Sequence, residues 1–275
     1  MASAVQSTTP HLAEVDPVWS RLRTEAEEAA RSEPALAGFL FSTVINQHRL
    51  EDAVVHRIAQ RLAHPDVDAQ LLARAFEDAI DSNSAFGATL RADLIAVFDR
   101  DPACHRFLEP LLYFKGFHAL QTHRFAHALY RSGREDFAYY LQSQASRVFS
   151  TDIHPNAEVG RGLFLDHGHA LVVGETARIG NEVSILHGVT LGGTGKAGGD
   201  RHPKIDDGVL IGAGAKILGN ITVGHCSRVA AGSVVLEDVP ANKTVAGVPA
   251  RIVGEAGCSE PSRTMNQMLA AARTN

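Results

Sequence analysis

Histidines and carboxylates cluster in the second half of the chain, and these side chains could carry acid–base chemistry. Asp152 stands two residues before His154, and Asp166 directly precedes His167. A carboxylate beside an imidazole fixes the tautomer of the ring and raises its basicity, which is the usual arrangement for a general base. The pattern makes His167 a candidate general base.

A second polar group falls in the Gly-rich stretch 190–204, which contains Arg201 and His202. Binding groups concentrate on loops that a rigid scaffold carries. An arginine there could hold a substrate carboxylate in a forked contact. The stretch is not a Walker phosphate loop, because Ala197 stands where that motif needs Ser or Thr.

The elements that position these residues follow from an aliphatic residue at every sixth position. Twelve of thirteen such positions are Ile, Leu or Val. They are Ile153, Val159, Leu165, Leu171, Ala177, Val183, Val189, Ile205, Ile211, Ile217, Val223, Val229 and Val235. This period is typical of a parallel β-helix, in which three hexads form a triangular coil of about eighteen residues.

Two expectations follow from the coil. Asp152 and His167 are fifteen residues apart, so they should be near neighbours across stacked coils. Val189 and Ile205 are sixteen residues apart where six would continue the period. The sequence therefore predicts one extruded loop with ten extra residues.

The first half of the chain shows helical periodicity without a competing strand pattern. Asp16 and Pro17 open the first helix, and Pro34 starts a second. Further helices are predicted over 50–62, 68–81, 84–99, 102–131 and 135–150. We predict an α+β protein with a disordered start (1–15), an all-helical oligomerisation domain (16–150), a parallel β-helix domain (151–254) and a flexible tail (255–275).

Composition narrows the function classes. The 275 residues carry a net charge of −5, which gives no electrostatic reason to expect nucleic-acid binding. No apolar run approaches the ~20 residues of a membrane span, and residues 1–10 lack an apolar signal core. The three cysteines, Cys104, Cys226 and Cys258, are far apart, which favours a reducing, cytoplasmic location.

Several segments resemble the serine O-acetyltransferases, a family of hexapeptide-repeat acyltransferases. The most specific are Gly199–Lys204 (Gly-Asp-Arg-His-Pro-Lys) and the helical segment Lys115–Gln121 (Lys-Gly-Phe-His-Ala-Leu-Gln). Asp152–Pro155 and Leu165–Gly168 also match, and the likeness covers roughly residues 16–254. The resemblance implies acetyl transfer from acetyl-CoA to the hydroxyl of L-serine, which is the first step towards cysteine, and no metal.

The resemblance also implies an architecture and roles for domains and residues. Residues 151–254 would be the acyltransferase domain, and the helical domain 16–150 would contribute to substrate binding. The β-helix would be left-handed, three chains would form a trimer, and helical domains would join two trimers, with acetyl-CoA between neighbouring solenoids. His167 would be the base and Asp152 its orienting partner. The substrate would be held by Asp93, Asp166, Arg201 and His202, and acetyl-CoA would be bound near Gly193, Thr194, Ala213 and Ala231.

Further implications concern partners and alternatives. Family members are typically inhibited by L-cysteine, and many end in Ile, which enters O-acetylserine sulfhydrylase. This chain ends in Asn275, so tight binding of that partner is not expected. The alternatives are another hydroxyl acceptor such as homoserine, a scaffold that only regulates the sulfhydrylase, and a zinc lyase like the γ-carbonic anhydrases. In the zinc lyase His167, His169 and His187 would bind the metal.

Overall fold

The structure, a computed structural model, describes residues 16–195, 198–257 and 259–269. The predicted disordered start at 1–15 lies outside the described residues. The helices of the first half are α1 (Pro17–Ser32), α2 (Ala37–Leu40), α3 (Leu50–Leu62), α4 (Ala69–Asp81), α5 (Phe86–Arg100), α6 (Leu108–Leu112), α7 (Lys115–Arg131) and α8 (Glu135–Phe149), with a π-helical turn at Phe41–Ile45. In the described residues, no helix is both long enough and apolar enough to cross a membrane.

Local sequence signals set several helix ends. Asp16 caps α1, because its Oδ1 accepts hydrogen bonds from the backbone nitrogens of Val18 and Trp19 at 3.1 and 3.2 Å. The single helix predicted over 102–131 is wrong. Phe114 has an extended backbone (φ −84°, ψ 108°), which separates α6 from α7.

The second half consists of short parallel strands stacked in three sheets. The strands are β1 (Thr151–Ile153), β2 (Glu158–Val159), β3 (Phe164–Leu165), β4 (Leu171–Val173), β5 (Arg178–Ile179), β6 (Ser184–Ile185), β7 (Thr190–Gly192), β8 (Lys204–Ile205), β9 (Leu210–Ile211), β10 (Lys216–Leu218), β11 (Thr222–Val223), β12 (Arg228–Val229), β13 (Val234–Val235), β14 (Lys243–Gly247) and β15 (Ala250–Glu255). The sheets are β1-β4-β7-β10-β13, β11-β8-β5-β2 and β15-β14-β12-β9-β6-β3. They form a left-handed β-helix of about 5 turns, so the predicted fold class is confirmed.

The first coil is two residues longer than a regular coil of eighteen residues. Leu165 pairs with Ile185, twenty residues further on, whereas Ile211 pairs with Val229 after eighteen. The two extra residues lie at the corner 166–170, between β3 and β4. This corner carries His167.

The longer corner corrects the predicted size of the extruded loop. Val173 and Ile179 are six residues apart on neighbouring sheets, and their stacked partners Leu191 and Ile205 are fourteen apart. The loop after β7 therefore holds eight extra residues, not ten. The six-residue count missed the shift because each rung buries two aliphatic residues spaced by two, such as Val183 and Ile185.

The chain closes with an antiparallel pair, β14 and β15, and a short helix α9 (Pro261–Thr264). Pro261 and Ser262 are buried against the solenoid, and the Ser184 hydroxyl donates to the Ser262 carbonyl oxygen at 2.7 Å. The predicted flexible tail at 255–275 therefore begins with a docked segment in its described part. Residues 270–275 lie outside the described residues.

The helical and solenoid halves meet closely at the longer corner. Gly116 on α7 packs against the backbone of Leu165 and Gly168, and a methyl group at Gly116 would overlap the Leu165 carbonyl oxygen. Both halves are therefore needed to hold the corner in place.

We expect Gly116→Ala to lower the free energy of unfolding by about 1–3 kcal/mol, because overpacking forces neighbouring backbone apart. Urea denaturation followed by circular dichroism measures this change. Gly38→Ala is the matched control, since no atom lies within 4 Å of the added methyl group. A Gly116→Ala protein as stable as wild type would contradict the close packing.

Candidate active site

The corner 166–170 presents His167 to solvent on a constrained backbone. His167, Gly168 and Ala170 all have positive φ angles, of 58°, 55° and 53°. Positive φ is costly for residues other than glycine and concentrates at functional sites. Thr151 supports the corner by donating its hydroxyl to the Gly168 carbonyl oxygen. The His167 side chain is 72 % exposed, so it can reach a substrate.

Asp166 and His187 are the polar neighbours of His167 within the chain. Nε2 of His167 lies 3.7 Å from Oδ1 of Asp166, and the rings of His167 and His187 are 5.7 Å apart. Burial raises the pKa of the Asp166 carboxyl, and the charge of Asp101 adds to that rise, while His167 opposes it. This cluster can bind a cation and exchange a proton.

Asp101 is a residue that the sequence analysis missed. It follows the C-terminal end of α5, and its charge acts on Asp166 from a different segment of the chain. Asp166 beside the exposed His167, with the charge of Asp101 acting on Asp166, gives this corner a negative character suited to a substrate ammonium group. Asp101 lies between the helices predicted over 84–99 and 102–131, and no sequence pattern gave it a role.

Asp152 lies on β1, next to Thr151 and therefore beside the corner. In this structure its Oδ1 accepts a hydrogen bond from Nε2 of Gln142 at 2.7 Å, and within the described residues no hydrogen bond or ion pair joins it to His167. The orienting role predicted for Asp152 stays a prediction.

Arg201 and His202 lie at the base of the extruded loop. Nη2 of Arg201 is 2.7 Å from Oε2 of Glu175, and Nδ1 of His202 is 2.9 Å from the Thr176 hydroxyl. Gly174 makes room for the His202 ring, because a Cβ there would overlap it. Burial lowers the pKa of His202, with Arg201 adding to the effect. The His202 ring is therefore mostly neutral and held in one position. Arg201 supplies the positive charge, and its partly exposed side chain can change partners.

The predicted site residues divide between two edges of the sheet β1-β4-β7-β10-β13. The chain enters this sheet at the corners 166–170, 186–189, 212–215 and 230–233, and we call this side the entry edge. It leaves towards the sheet β11-β8-β5-β2 at the loop 193–203, and we call this side the exit edge. The entry edge carries Asp166, His167, Ala213 and Ala231, and the exit edge carries Gly193, Thr194, Arg201 and His202. One chain does not bring the two groups together.

Asp93 does not belong to this site, which corrects its predicted role. Asp93 is fully buried, and its two oxygens accept bonds from Arg124 at 2.6 and 2.9 Å and from Gln121 at 2.8 Å. They also accept from the backbone nitrogens of Gly162 and Leu163. A carboxylate with these partners joins α5 to the solenoid and has no oxygen left for a substrate ammonium.

The histidines proposed for a zinc site have other neighbours. Nδ1 of His169 lies 3.0 Å from Nζ of Lys115, and the His167 ring faces His187. Within the residues that the structure describes, no group of three His, Cys, Asp or Glu side chains is arranged to hold a metal ion.

The raised pKa of Asp166 predicts a pH-dependent stability. The folded carboxyl keeps its proton to a higher pH than the unfolded one, whose ordinary pKa is 3.8, so ionised Asp166 costs stability above both values. We expect Asp166→Asn to raise the free energy of unfolding near pH 8, and the gain should shrink as the pH falls towards 3.8. Urea denaturation at several pH values measures this. A gain that is the same at every pH would contradict it.

Comparisons with known proteins place this geometry in a family. The model of the serine acetyltransferase N-terminal domain matches residues 18–122, and the bacterial transferase hexapeptide model matches residues 202–237. The chain is 50% identical to serine acetyltransferase of Escherichia coli (strain K12) over 254 residues, which is 92% of this chain and 93% of that protein.

Solved structures agree in sequence and in fold. A serine acetyltransferase from Brucella abortus strain S19, solved in complex with coenzyme A, is 64% identical with a TM-score of 0.87, covering 89% of this chain and 98% of that one. A serine acetyltransferase in complex with cysteine is 49% identical with a TM-score of 0.90, covering 92% of this chain and 98% of that one. This chain belongs to the serine acetyltransferase family.

Proposed function

We propose that this protein transfers the acetyl group of acetyl-CoA to the hydroxyl of L-serine and releases O-acetyl-L-serine and CoA. The observation that carries the proposal is the exposed His167 beside Asp166, on the constrained corner of a hexapeptide-repeat solenoid in a serine acetyltransferase chain. The complex of the Brucella relative with coenzyme A supports acetyl-CoA as the acyl donor.

The chemistry requires only a base and correct positioning. His167 would remove the proton of the serine hydroxyl while that oxygen attacks the thioester carbonyl carbon. The tetrahedral intermediate then collapses, the carbon–sulfur bond breaks, and the imidazolium returns the proton to the CoA thiolate. Asp152 would orient the ring from β1 once the His167 side chain turns towards that strand. No covalent enzyme intermediate is needed, because both substrates are bound together.

The substrate serine would be held at both ends. Asp166, on which the charge of Asp101 acts, would supply the negative charge for the ammonium group. Arg201 supplies a guanidinium for the carboxylate, and the fixed ring of His202 supports it. On substrate binding, Arg201 would release Glu175 and pair with the substrate carboxylate instead, so the number of ion pairs made by Arg201 would stay the same.

The two halves of this site imply a shared cleft. The entry edge of one chain would face the exit edge of a neighbouring chain around a threefold axis, so that His167 and Arg201 come from different chains. Acetyl-CoA would lie between them, against Ala213 and Ala231 on one side and Gly193 and Thr194 on the other. We propose a homotrimer for this reason, with helical domains joining two trimers.

Regulation and location complete the proposal. The relative that binds cysteine supports L-cysteine as an inhibitor, because cysteine differs from serine only in its sulfur atom and fits the same contacts.

The weak binding predicted for O-acetylserine sulfhydrylase depends on Asn275, which lies outside the described residues. The cytoplasmic location stays a prediction.

A rate comparison tests the function. Purified protein is mixed with acetyl-CoA and L-serine, L-homoserine or L-threonine, and released CoA thiol is measured. We expect serine to be preferred by about tenfold or more, since an added methylene or methyl group must fit the same pocket. Absence of thiol release at millimolar serine would contradict the proposal, and faster turnover of homoserine would assign the protein to another acceptor.

A further inference from the structure

A large cavity lies between the helical half and the solenoid, away from both edges of the proposed active site. Its volume is about 630 Å³. The α4–α5 junction, one face of α7 and the solenoid corners 160–163 and 180–183 form its walls. These corners follow β2 and β5, whereas the entry edge follows β3, so the cavity is separate from the His167 corner.

The cavity is rich in positive charge. Arg124, Arg131 and Arg161 line it together with two histidines, and none of the described lining residues is acidic. Within the described residues, the guanidinium groups of Arg131 and Arg161 form neither an ion pair nor a hydrogen bond. Both arginines are exposed to solvent at the mouth of the cavity, and no carboxylate lines the cavity beside them within the described residues.

Arg124 does not account for this excess, because Asp93 neutralises it. Its Nε and Nη2 bind the Asp93 carboxylate, and its remaining bonds go to the carbonyl oxygens of Val159 and Gly160. The buried Asp93–Arg124 pair instead fixes the floor of the cavity. The surplus charge therefore belongs to Arg131 and Arg161 at its rim.

Neutral polar groups surround these charges. Ser82, Asn83 and Thr89 line the cavity on the α4–α5 side. His123 also lines it, and the buried Nδ1 of His123 has no hydrogen-bond partner within the described residues. Burial lowers the pKa of His123 well below its usual value, the charges of His127 and Arg124 add to this, and a backbone hydrogen bond with Ala157 opposes it. The neutral ring can hydrogen-bond to a ligand through Nδ1 without adding charge.

We propose that this cavity binds a small phosphate-bearing metabolite. A guanidinium group can donate two parallel hydrogen bonds to the oxygens of one phosphate group, and Arg131 and Arg161 supply two guanidinium groups. The volume exceeds that of a bare phosphate ion and leaves room for an organic part against Phe86 and the polar groups of Ser82, Asn83 and Thr89. The site is distinct from that of acetyl-CoA, which would lie between neighbouring solenoids.

The position of the cavity gives its ligand a route to the active site. Phe86 and Thr89, near the start of α5, line the cavity, and Asp101 follows the end of the same helix beside Asp166. Arg100, at that end, is buried and paired with Glu182. A ligand that contacts the first turns of α5 therefore touches the helix that places Asp101.

Isothermal titration calorimetry with inorganic phosphate, on protein free of CoA, tests the site, and the arginine variants distinguish this cavity from the acetyl-CoA cleft. We expect saturable binding by the wild-type protein. Arg131→Gln combined with Arg161→Gln should raise the Kd for phosphate by about tenfold or more, since both forks are lost. Phosphate should also raise the Tm of the wild type, and not that of this double variant.

A matched double variant controls for net charge. Arg31→Gln with Arg74→Gln removes the same charge from exposed helical positions outside the cavity, and it should leave the Kd unchanged. Equal weakening in both double variants, or no saturable binding by wild type, would overturn the assignment. Citrate binding tighter than phosphate would also overturn it, because it would mark a carboxylate site. Since binding is measured directly, failure here is independent of the acetyl-transfer assay.

Discussion

Replacing His167 with alanine is expected to lower kcat for acetyl transfer to L-serine by about a hundredfold or more. The proposed mechanism has one base, and serine's hydroxyl is a poor nucleophile until its proton is removed. KM for serine should change much less, because Asp166 and Arg201 would hold the substrate. Steady-state release of CoA thiol at saturating substrates measures the effect.

The fold should survive this substitution, because the His167 side chain is 72 % exposed. His225→Ala provides a matched control, since His225 is an exposed histidine at the corner after β11, away from both edges. That variant should retain the wild-type kcat. A His167→Ala enzyme that turns over at the wild-type rate would remove His167 as the base.

Replacing Asp93 with asparagine is expected to lower the free energy of unfolding by about 3–5 kcal/mol. The substitution leaves the Arg124 guanidinium, only 9% exposed, without its counter-charge. It also weakens the acceptor for the backbone nitrogens of Gly162 and Leu163. Urea denaturation, followed by circular dichroism, measures the loss.

The same variant separates the structural role of Asp93 from the substrate role that the sequence suggested. A structural role predicts a large loss of stability with little change in KM for serine in the folded fraction. Asp78→Asn is the control, because Asp78 and its partner Arg134 are exposed and such pairs contribute about 1 kcal/mol or less. A raised KM without lost stability would restore Asp93 as a substrate contact.

The fold could be predicted from sequence because every coil of the solenoid repeats the same pattern of aliphatic residues. Each rung buries aliphatic residues at fixed spacing, so the period survives local exceptions. The same redundancy hid the two residues inserted at the His167 corner, since both inward positions of a rung accept the same residue types. Consequently the six-residue spacing continued from Leu165 to Leu171, although the residue stacked on Ile153 is Val173 and not Leu171.

The site was predictable only in part, for a related reason. His167 and Arg201 stand in segments with unusual residue types, so their local context reveals them. Asp93 lies in the middle of α5 and Asp101 directly after its end, and helical periodicity cannot tell which of the two carboxylates acts on Asp166. Only the three-dimensional contacts show that Asp93 faces Arg124 while Asp101 acts on Asp166.

The separation of the entry edge from the exit edge has a genetic consequence. In the proposed homotrimer, a variant without His167 and a variant without Arg201 should each have low activity alone, yet mixed trimers would contain some clefts with both residues intact. Co-expression of two defective alleles should therefore restore growth that neither allele supports, a form of interallelic complementation that a self-contained monomeric site could not show.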